Sequence, residues 1–436
     1  MSALALFGGS PAVREEPRDL FLWPIVTEED EKAILSVLHD RDMSGTEITK
    51  KFEKEMAAWL GVEYALGYCN GTAGVLSALW ACGVGAGDEV ICPSMTYWAS
   101  AAPALSLGAA VNFADIDKKT LCIDPDDIEH RIGPRTKAII VVHYAAHPCD
   151  MDRIVPIARR HGIRIIEDAS HAQGSLYKGR PCGTLGDVSV MSLMTAKSFA
   201  IGEGGMLFTN DRTIYERAIS YGFYERTGSA SEFFSPDNQL TDPALRKFAG
   251  IPAGGCKHRM HQMSSAMGRV QLKYYDERIK EINEAMEYFW DSLDDVPRLA
   301  AHRVSRSDGS FMGGWYYAQG LFDNAGYPEK TLSKVCEALR AEGAGACAPC
   351  KNGPLHLHPV FNELDIFGLG TPTMVSFADR DLRQGRGRLP NAEAITERSF
   401  SVPWFKHPDR AAIDPYVEAF RKVFSGLDAI AGRDGG

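Results

Sequence analysis

The chain has 436 residues, of which 45% are hydrophobic and 24% charged; this composition is typical of a folded globular protein and excludes disorder as its main state. Its 57 acidic and 47 basic side chains give a formal charge of −10, which argues against the basic surface that nucleic-acid binding requires. The ten cysteines are scattered without a repeating spacing, so we expect reduced thiols and a cytoplasmic protein.

The chain begins with MSALALFGGSPAVREEP, which has neither a basic start nor a sustained apolar run. We therefore expect no signal peptide or membrane anchor. The uncharged stretch from Val90 to Ala114 is long enough to cross a membrane, but Pro93, Pro103 and Asn112 would interrupt a lipid-facing helix. A strand, a helix and a second strand of a folded core accommodate all three residues, so we predict no membrane partner.

Short apolar runs then alternate with helical patterns through the first two thirds of the chain. The predicted strands are residues 64–69, 89–92, 109–114, 137–143, 163–167, 187–191 and 205–209. The predicted helices between them are residues 73–80, 97–107 and 151–161. This alternation is typical of βαβ units, so we predict an α/β fold with a mainly parallel sheet sandwiched by helices.

The pattern changes beyond this region. Residues 228–257 are rich in serine, proline, glycine and charge, which predicts a long excursion. Residues 267–293 predict one long amphipathic helix, and residues 331–342 a helix of a smaller C-terminal α/β domain. We interpret Trp315-Tyr316-Tyr317 as the start of a strand in the core of that domain. The predicted division is a large domain, residues 1–280, and a small domain, residues 281–436.

Ligands of an open parallel sheet bind beyond the carboxyl ends of its strands, so the residues that follow each apolar run are candidates for a site. Asn70-Gly71-Thr72 follows the first predicted strand and precedes a helix. A helix N-terminus offers unpaired N–H groups, glycine permits close approach, and threonine adds a hydroxyl. Gly71 and Thr72 are therefore candidate phosphate ligands, the alternative being that Asn70 or Thr72 only caps the helix.

Three further side chains lie just beyond predicted strands. Asp168 can pair with a cationic ring nitrogen, as in a pyridinium, and can equally cap the next turn. His171 taken alone is more often a structural histidine. Tyr97 can cover a planar ring, although core packing is the default for an aromatic residue.

Lys197 lies between Leu193 and Met194 on one side and Phe199 on the other, and the glycine-rich bend 202–205 follows it. Partial burial lowers the pKa of an amine and makes it a usable nucleophile or base. The alternative is a lysine that buries only its stem. Each signal is weak alone, but a phosphate loop, an acid and a lysine occur together here in that order.

This order resembles the fold-type I pyridoxal-phosphate enzymes and, more narrowly, the DegT/StrS family of sugar aminotransferases. The segments that carry the resemblance are residues 85–93 (GAGDEVICP), 167–174 (EDASHAQG), 192–205 and 258–261 (HRMH). It implies pyridoxal 5′-phosphate as cofactor and a ping-pong transfer from glutamate or glutamine to a nucleotide-linked keto-sugar or a keto-cyclitol. It also implies a homodimer with a shared active site.

The resemblance further implies individual roles. Lys197 binds the cofactor covalently and, once released, moves a proton, while Asp168 keeps the pyridine nitrogen protonated. The other residues surround the ring and the phosphate: Ser170 on one ring face, Tyr97 on the other, His171 beside the phenolic oxygen, and Gly71, Thr72 and Ser192 at the phosphate.

The chain also departs from the family's pattern. Many members have an asparagine two residues before the Arg-Met of the HRMH segment, where it reaches the phosphate of the neighbouring subunit; here that residue is Lys257. The common His-Leu-Tyr-Gly turn is His143-Tyr144-Ala145-Ala146, which alters a loop near the substrate. Relatives that dehydrate 3-deoxysugar precursors carry histidine at the lysine position, so Lys197 favours transamination.

Two alternatives concern other chemistry. Cys347, Cys350, His356 and His358 are zinc-ligand types, but no second CxxC accompanies them. We predict no metal and interpret this segment as a loop near the substrate entrance. A dehydrating or aromatising enzyme of the aminohydroxybenzoate synthase kind and a regulatory homologue without turnover both remain possible.

Overall fold

The computed structural model describes residues 3–228 and 239–432. At its centre is a seven-stranded sheet of β1 (Tyr64–Tyr68), β2 (Glu89–Pro93), β3 (Ala110–Ala114), β4 (Thr136–Val142), β5 (Arg164–Asp168), β6 (Val188–Ser192) and β7 (Gly205–Thr209). The order across the sheet is β1-β7-β6-β5-β4-β2-β3. Within it, β7 is antiparallel to β1 and β6, and the other pairs are parallel. The predicted mainly parallel α/β fold is confirmed.

The strands of this sheet consist mostly of apolar residues, because helices cover both faces of the sheet. Every residue of β2, β3 and β7 is buried. The polar residues Asp168 and Ser192 lie at the carboxyl ends of β5 and β6. The predicted strand bounds agree with the observed ones to within one or two residues.

The longer helices are α1 (Glu28–His39), α2 (Glu47–Leu60), α3 (Gly71–Ala81), α4 (Pro125–Arg131), α5 (Met151–His161), α6 (Arg212–Gly222), α7 (Gln262–Asp291), α8 (Thr331–Ala341) and α9 (Arg410–Ser425). Their ends follow known capping chemistry. Thr27 and Asp30 form a capping box at the start of α1. Gly162 ends α5 in the left-handed conformation that glycine adopts without steric cost.

The single helix predicted for residues 97–107 is wrong. Two short helices, Trp98–Ser100 and Pro103–Ser106, occupy this stretch. Pro103 takes the first position of the second helix, where its missing N–H costs nothing. The uncharged stretch from Val90 to Ala114 thus forms β2, these two turns and β3. Among the described residues, no helix combines the length and the apolar character needed to span a membrane.

A second, antiparallel sheet lies in the C-terminal part, in the order β8 (Leu299–Ala301), β9 (Gln319–Phe322), β11 (Ser399–Ser401), β10 (Ala348–Pro349). Its core includes residues of α8, of α9 and of the second half of α7, and also Leu4, Val13 and Leu20 from the N-terminal segment. The small-domain helix predicted at residues 331–342 corresponds to α8. The boundary between residues 280 and 281 remains a prediction.

The strand predicted to start at Trp315 is wrong. Trp315 and Tyr317 have φ of 52° and 59°, a left-handed backbone that no strand contains. They form a turn, and β9 begins only at Gln319. Trp315 is buried in the second core as expected. Tyr316 is only partly buried.

The predicted long excursion lies partly outside the described residues, which omit 229–238. Its described part contains one short helix, Pro243–Arg246. The long helix predicted after it is confirmed as α7, which packs against α1 and α2.

Candidate active site

A cavity of about 370 Å³ opens at the carboxyl ends of the central parallel strands. Eight of the nine residues predicted for the site line it: Gly71, Thr72, Tyr97, Asp168, Ser170, His171, Ser192 and Lys197. The ninth, Lys257, is exposed, and its ammonium lies 5.9 Å from the ring centroid of Tyr224. The sheet therefore brings together residues that lie up to more than a hundred positions apart in the chain.

One end of the cavity is the N-terminus of α3. Asn70 caps this helix, because its side-chain oxygen accepts a hydrogen bond of 2.8 Å from the N–H of Ala73. The N–H groups of Gly71 and Thr72 belong to the first turn, which has no intrahelical acceptors. A Cβ on Gly71 would lie 2.8 Å from the Cβ of Ser192, so only glycine lets the two loops approach this closely. This end can hold an anionic phosphate.

Asp168 ends β5 at the middle of the cavity and is 7% exposed. Its Oδ2 accepts a hydrogen bond of 2.6 Å from the hydroxyl of Ser100, which itself lies 2.9 Å from the Thr96 hydroxyl. Its Oδ1 accepts a bond of 3.1 Å from the N–H of Ser170. These bonds fix the carboxylate in one orientation, which suits an ion pair with a protonated ring nitrogen.

Lys197 is also 7% exposed. Burial lowers the pKa of its amine to about 8, and the carboxylate of Asp168 opposes this shift. A much larger fraction of this amine is therefore neutral near physiological pH than of an ordinary lysine, and the neutral form is the nucleophile. Its backbone is fixed by a hydrogen bond of 2.8 Å that the indole of Trp23 donates to the carbonyl of Lys197.

His171 is buried beside Lys197. Its burial, reinforced by the nearby positive charge of Lys197, holds the pKa of His171 well below the usual range, so the ring is neutral. The Nδ1 atom accepts a hydrogen bond of 3.3 Å from the N–H of Ala145. The proton of the neutral ring is then on Nε2, which is available as a donor to a phenolic oxygen.

Several lining residues were not predicted. They come from the turn before β9, from the loop after β10 and from the bend before β7: Tyr316, Tyr317, Lys351, Asn352 and Glu203. The ring centroid of Tyr316 lies 4.2 Å from Lys197 Nζ. Glu203 falls within the glycine-rich bend 202–205, whereas the other four come from the C-terminal part of the chain, far in sequence from the central sheet, so local spacing contains no signal for them.

The segment considered for zinc has other partners. Cys350 is buried, with its sulfur 3.5 Å from the hydroxyl of Tyr144. The two ring nitrogens of His356 bond Ser94 at 2.7 Å and Glu393 at 3.1 Å. Across the described ranges, no group of three or more histidine, cysteine or acidic side chains is arranged to hold a metal. Lys351 and Asn352 in this segment line the cavity, as expected for a loop near its entrance.

The residues present fit pyridoxal 5′-phosphate. The N-terminus of α3 would hold its phosphate, and Asp168 would pair with its ring nitrogen. His171 would lie beside its phenolic oxygen, and Lys197 would bond its aldehyde carbon. With a mainly parallel sheet and a smaller second sheet, this arrangement defines the pyridoxal-phosphate-dependent enzymes of fold type I.

Residues 24–421 match the DegT/DnrJ/EryC1/StrS aminotransferase family, and the chain belongs to that family. It is 30% identical over 406 residues to the spore coat polysaccharide biosynthesis protein SpsC of Bacillus subtilis, covering 93% of this chain and 97% of SpsC. It is 34% identical over 338 residues to the GDP-perosamine synthase of Escherichia coli O157:H7, covering 76% and 86% of the two chains. With L-glutamine:2-deoxy-scyllo-inosose aminotransferase of Micromonospora echinospora it shares 32% identity over 441 residues, covering 98% of each.

Solved structures agree with this assignment. The aminotransferase from Psychrobacter cryohalolentis superposes with a TM-score of 0.79 at 27% identity, covering 94% of this chain and 100% of that one. The 3-amino-5-hydroxybenzoic acid synthase structure gives a TM-score of 0.73 at 25% identity, covering 95% and 99%. The chain is therefore a pyridoxal-phosphate-dependent aminotransferase of the sugar and cyclitol family.

Proposed function

We propose that this aminotransferase moves an amino group from glutamate or glutamine to the keto group of a nucleotide-linked sugar or of a cyclitol. The observation that carries the proposal is a buried Lys197 amine in the same cavity as the Asp168 carboxylate and the N-terminus of α3. Relatives with similar identity support both acceptor classes, since one is named a GDP-perosamine synthase and another an inosose aminotransferase.

The bound cofactor supplies an electron-accepting ring that stabilises negative charge at the carbon losing or gaining a proton. The chain supplies the rest. Asp168 keeps the ring nitrogen protonated, and His171 donates from Nε2 to the phenolic oxygen. Lys197 would accept a proton from the donor's α-carbon and pass it to the cofactor carbon that receives the amino group, and in the second half-reaction it would move a proton in the opposite direction.

We further propose that the enzyme works as a homodimer with shared active sites. A phosphate carries up to two negative charges, and Lys197 and Lys351 are the cationic side chains among the cavity-lining residues that are described. Lys197 is committed to the aldehyde end of the cofactor. Lys257 lies outside its own cavity and is exposed, which suits a residue that reaches the phosphate of a neighbouring subunit.

The visible absorption spectrum of the purified protein tests this function. Addition of one donor, glutamate or glutamine, should convert the cofactor's visible band to that of its amino form, and the effective donor is thereby identified. Lys197→Ala should prevent conversion at a comparable rate. A protein that takes up no cofactor after reconstitution would instead support a regulatory homologue, and a band that neither donor changes would remove transamination.

An aromatising activity is the main rival, because the structural neighbours include 3-amino-5-hydroxybenzoic acid synthase. Such an enzyme would retain both the lysine and the cofactor. Product analysis separates the two functions: transamination leaves an aminated, non-aromatic ring and a 2-oxo acid, whereas aromatisation releases water and an ultraviolet-absorbing benzoate.

A further inference from the structure

The face of an aromatic ring lies next to the reactive amine. Lys197 Nζ is 4.2 Å from the ring centroid of Tyr316, well inside the roughly 6 Å reach of a cation–π interaction. Because Lys197 is 7% exposed, little water competes for the amine. The contact is made by the side chains and does not depend on a bound ligand.

Tyr316 is itself held in place by other rings. The indole of Trp404 lies 6.0 Å away at an angle of 85°, and the His171 ring lies 4.7 Å away. Trp404 is anchored in turn, since its Nε1 donates a hydrogen bond of 2.9 Å to the carbonyl of Gly314. The Tyr316 ring is thus packed among ordered partners.

The backbone on either side of Tyr316 is held in an energetically unfavourable conformation. Its two neighbours, Trp315 and Tyr317, have φ of 52° and 59°, which bulky residues adopt only when surrounding contacts enforce it. The contacts are present: Trp315 Nε1 donates a bond of 2.9 Å to Asn283, and the hydroxyl of Tyr317 accepts one of 3.1 Å from the N–H of Lys351. The strained turn presents the residue between them to the cavity.

A ring face suits an amine that must both gain and lose a proton. A carboxylate in this position would hold the ammonium as an ion pair and resist its deprotonation. The π face attracts the charged form more weakly and offers no competing site for the proton. It therefore retains the amine close to the cofactor without fixing its protonation state.

We propose that the ring face of Tyr316 positions the Lys197 amine and stabilises its charged form while that amine is not bonded to the cofactor. The proposal rests on the proposed function, because that reaction frees the amine from the cofactor in every catalytic cycle. Tyr316 acts through Lys197 and is a positioning residue.

The test compares Tyr316→Phe, which keeps the ring face, with Tyr316→Leu, which removes it. Labelling of Lys197 by trinitrobenzenesulfonate is followed as a function of pH in full-length protein depleted of cofactor. Mass spectrometry quantifies the labelled peptide, and the exposed Lys118 in the same sample is the internal reference. We expect the profile of Tyr316→Phe to match wild type and the midpoint of Tyr316→Leu to fall by about one pH unit.

Steady-state kinetics provides the second readout. Tyr316→Leu should lower kcat by about tenfold, with a much smaller change in KM for the amino donor, because positioning of the lysine matters after binding. An unchanged labelling midpoint in Tyr316→Leu overturns the proposal. An equal shift in Tyr316→Phe also overturns it, because the hydroxyl and not the ring face would then be responsible.

Tyr316→Met replaces Tyr316→Leu if circular dichroism shows that the leucine variant does not fold. The labelling profile needs no turnover, so it separates this proposal from the proposed function. If the labelling midpoint shifts in a protein that has no aminotransferase activity, the contact between Tyr316 and Lys197 is supported and the proposed reaction is refuted.

Discussion

The carbonyl oxygen of Lys197 accepts a hydrogen bond of 2.8 Å from the indole of Trp23, which lies 174 residues earlier in the chain. Trp23 also packs against Trp404, with ring centroids 5.8 Å apart. The N-terminal segment therefore contacts the backbone of Lys197 directly. The stem of Lys197 extends from a fixed backbone position, which limits where its amine can move.

Trp23→Phe keeps most of the packing and removes the N–H donor. We expect a loss of about 0.5–1.5 kcal/mol in the free energy of unfolding and a several-fold slower donor-induced change in the visible spectrum, because the Lys197 peptide gains freedom. Thermal unfolding and stopped-flow absorbance measure the two effects.

Trp59→Phe is the matched control for this change. Trp59 Nε1 donates a bond of 2.9 Å to the Asp276 carboxylate near the surface, so an indole N–H is lost that does not bond the Lys197 peptide. Equal slowing in both variants would show that the bond to Lys197 has no part in positioning it.

The lowered pKa of Lys197 predicts how cofactor uptake depends on pH. Only the neutral amine can bond the cofactor, and burial lowers the pKa of this amine to about 8. The rate at which depleted protein regains its visible band should therefore rise about tenfold per pH unit below this value and level off above it. A rate that continues to rise up to pH ~10, as for an ordinary lysine amine, would contradict the shift.

The same shift affects the stability of the cofactor-free protein. Between the lowered pKa, about 8, and the ordinary value near 10.4, the unfolded chain binds a proton that the folded chain does not. Folding therefore becomes more favourable as pH rises through this window. Denaturant unfolding of wild type and of Lys197→Met at both ends of the window measures the contribution, which the variant should lack.

The sequence predicts the site residues whose positions are determined by the ends of the strands. Asp168 and Ser192 end β5 and β6, and Gly71 begins the helix after β1, so a parallel sheet necessarily brings them to one edge. Trp23 and Tyr316 could not be found in this way, because their positions depend on packing between distant segments. The strand prediction at Tyr316 was wrong because local residue preference favours a strand there, whereas tertiary anchors enforce a left-handed turn.

Gly205 determines how closely β7 approaches the phosphate end of the cavity. A Cβ at this position would lie 2.6 Å from the backbone of Asn70 and from the N–H nitrogen of Gly71. Backbone atoms cannot move aside as a side chain can, so Gly205→Ala must displace the start of α3. We expect a loss of about 1–3 kcal/mol in stability and weaker retention of the cofactor in equilibrium dialysis.

Gly85→Ala is the control for Gly205→Ala. No atom lies within 4 Å of a Cβ built on Gly85, and its φ is not in the positive region. This variant should bind cofactor as wild type does. If Gly205→Ala also retained the cofactor unchanged, the close approach of β7 would be irrelevant to the phosphate end.

Subunit complementation tests whether Lys257 serves the neighbouring active site. Lys197→Ala and Lys257→Glu are made in separate chains, and each homodimer should be inactive or strongly impaired. In a mixed dimer, one cavity carries both changes, while the other has its own Lys197 and receives Lys257 from the first chain. Random assembly of equal amounts makes about half of the dimers mixed, so co-expression should restore about a quarter of the wild-type rate. If Lys257 served its own cavity, every site in the mixture would carry a defect, and co-expression would restore no activity beyond that of Lys257→Glu alone.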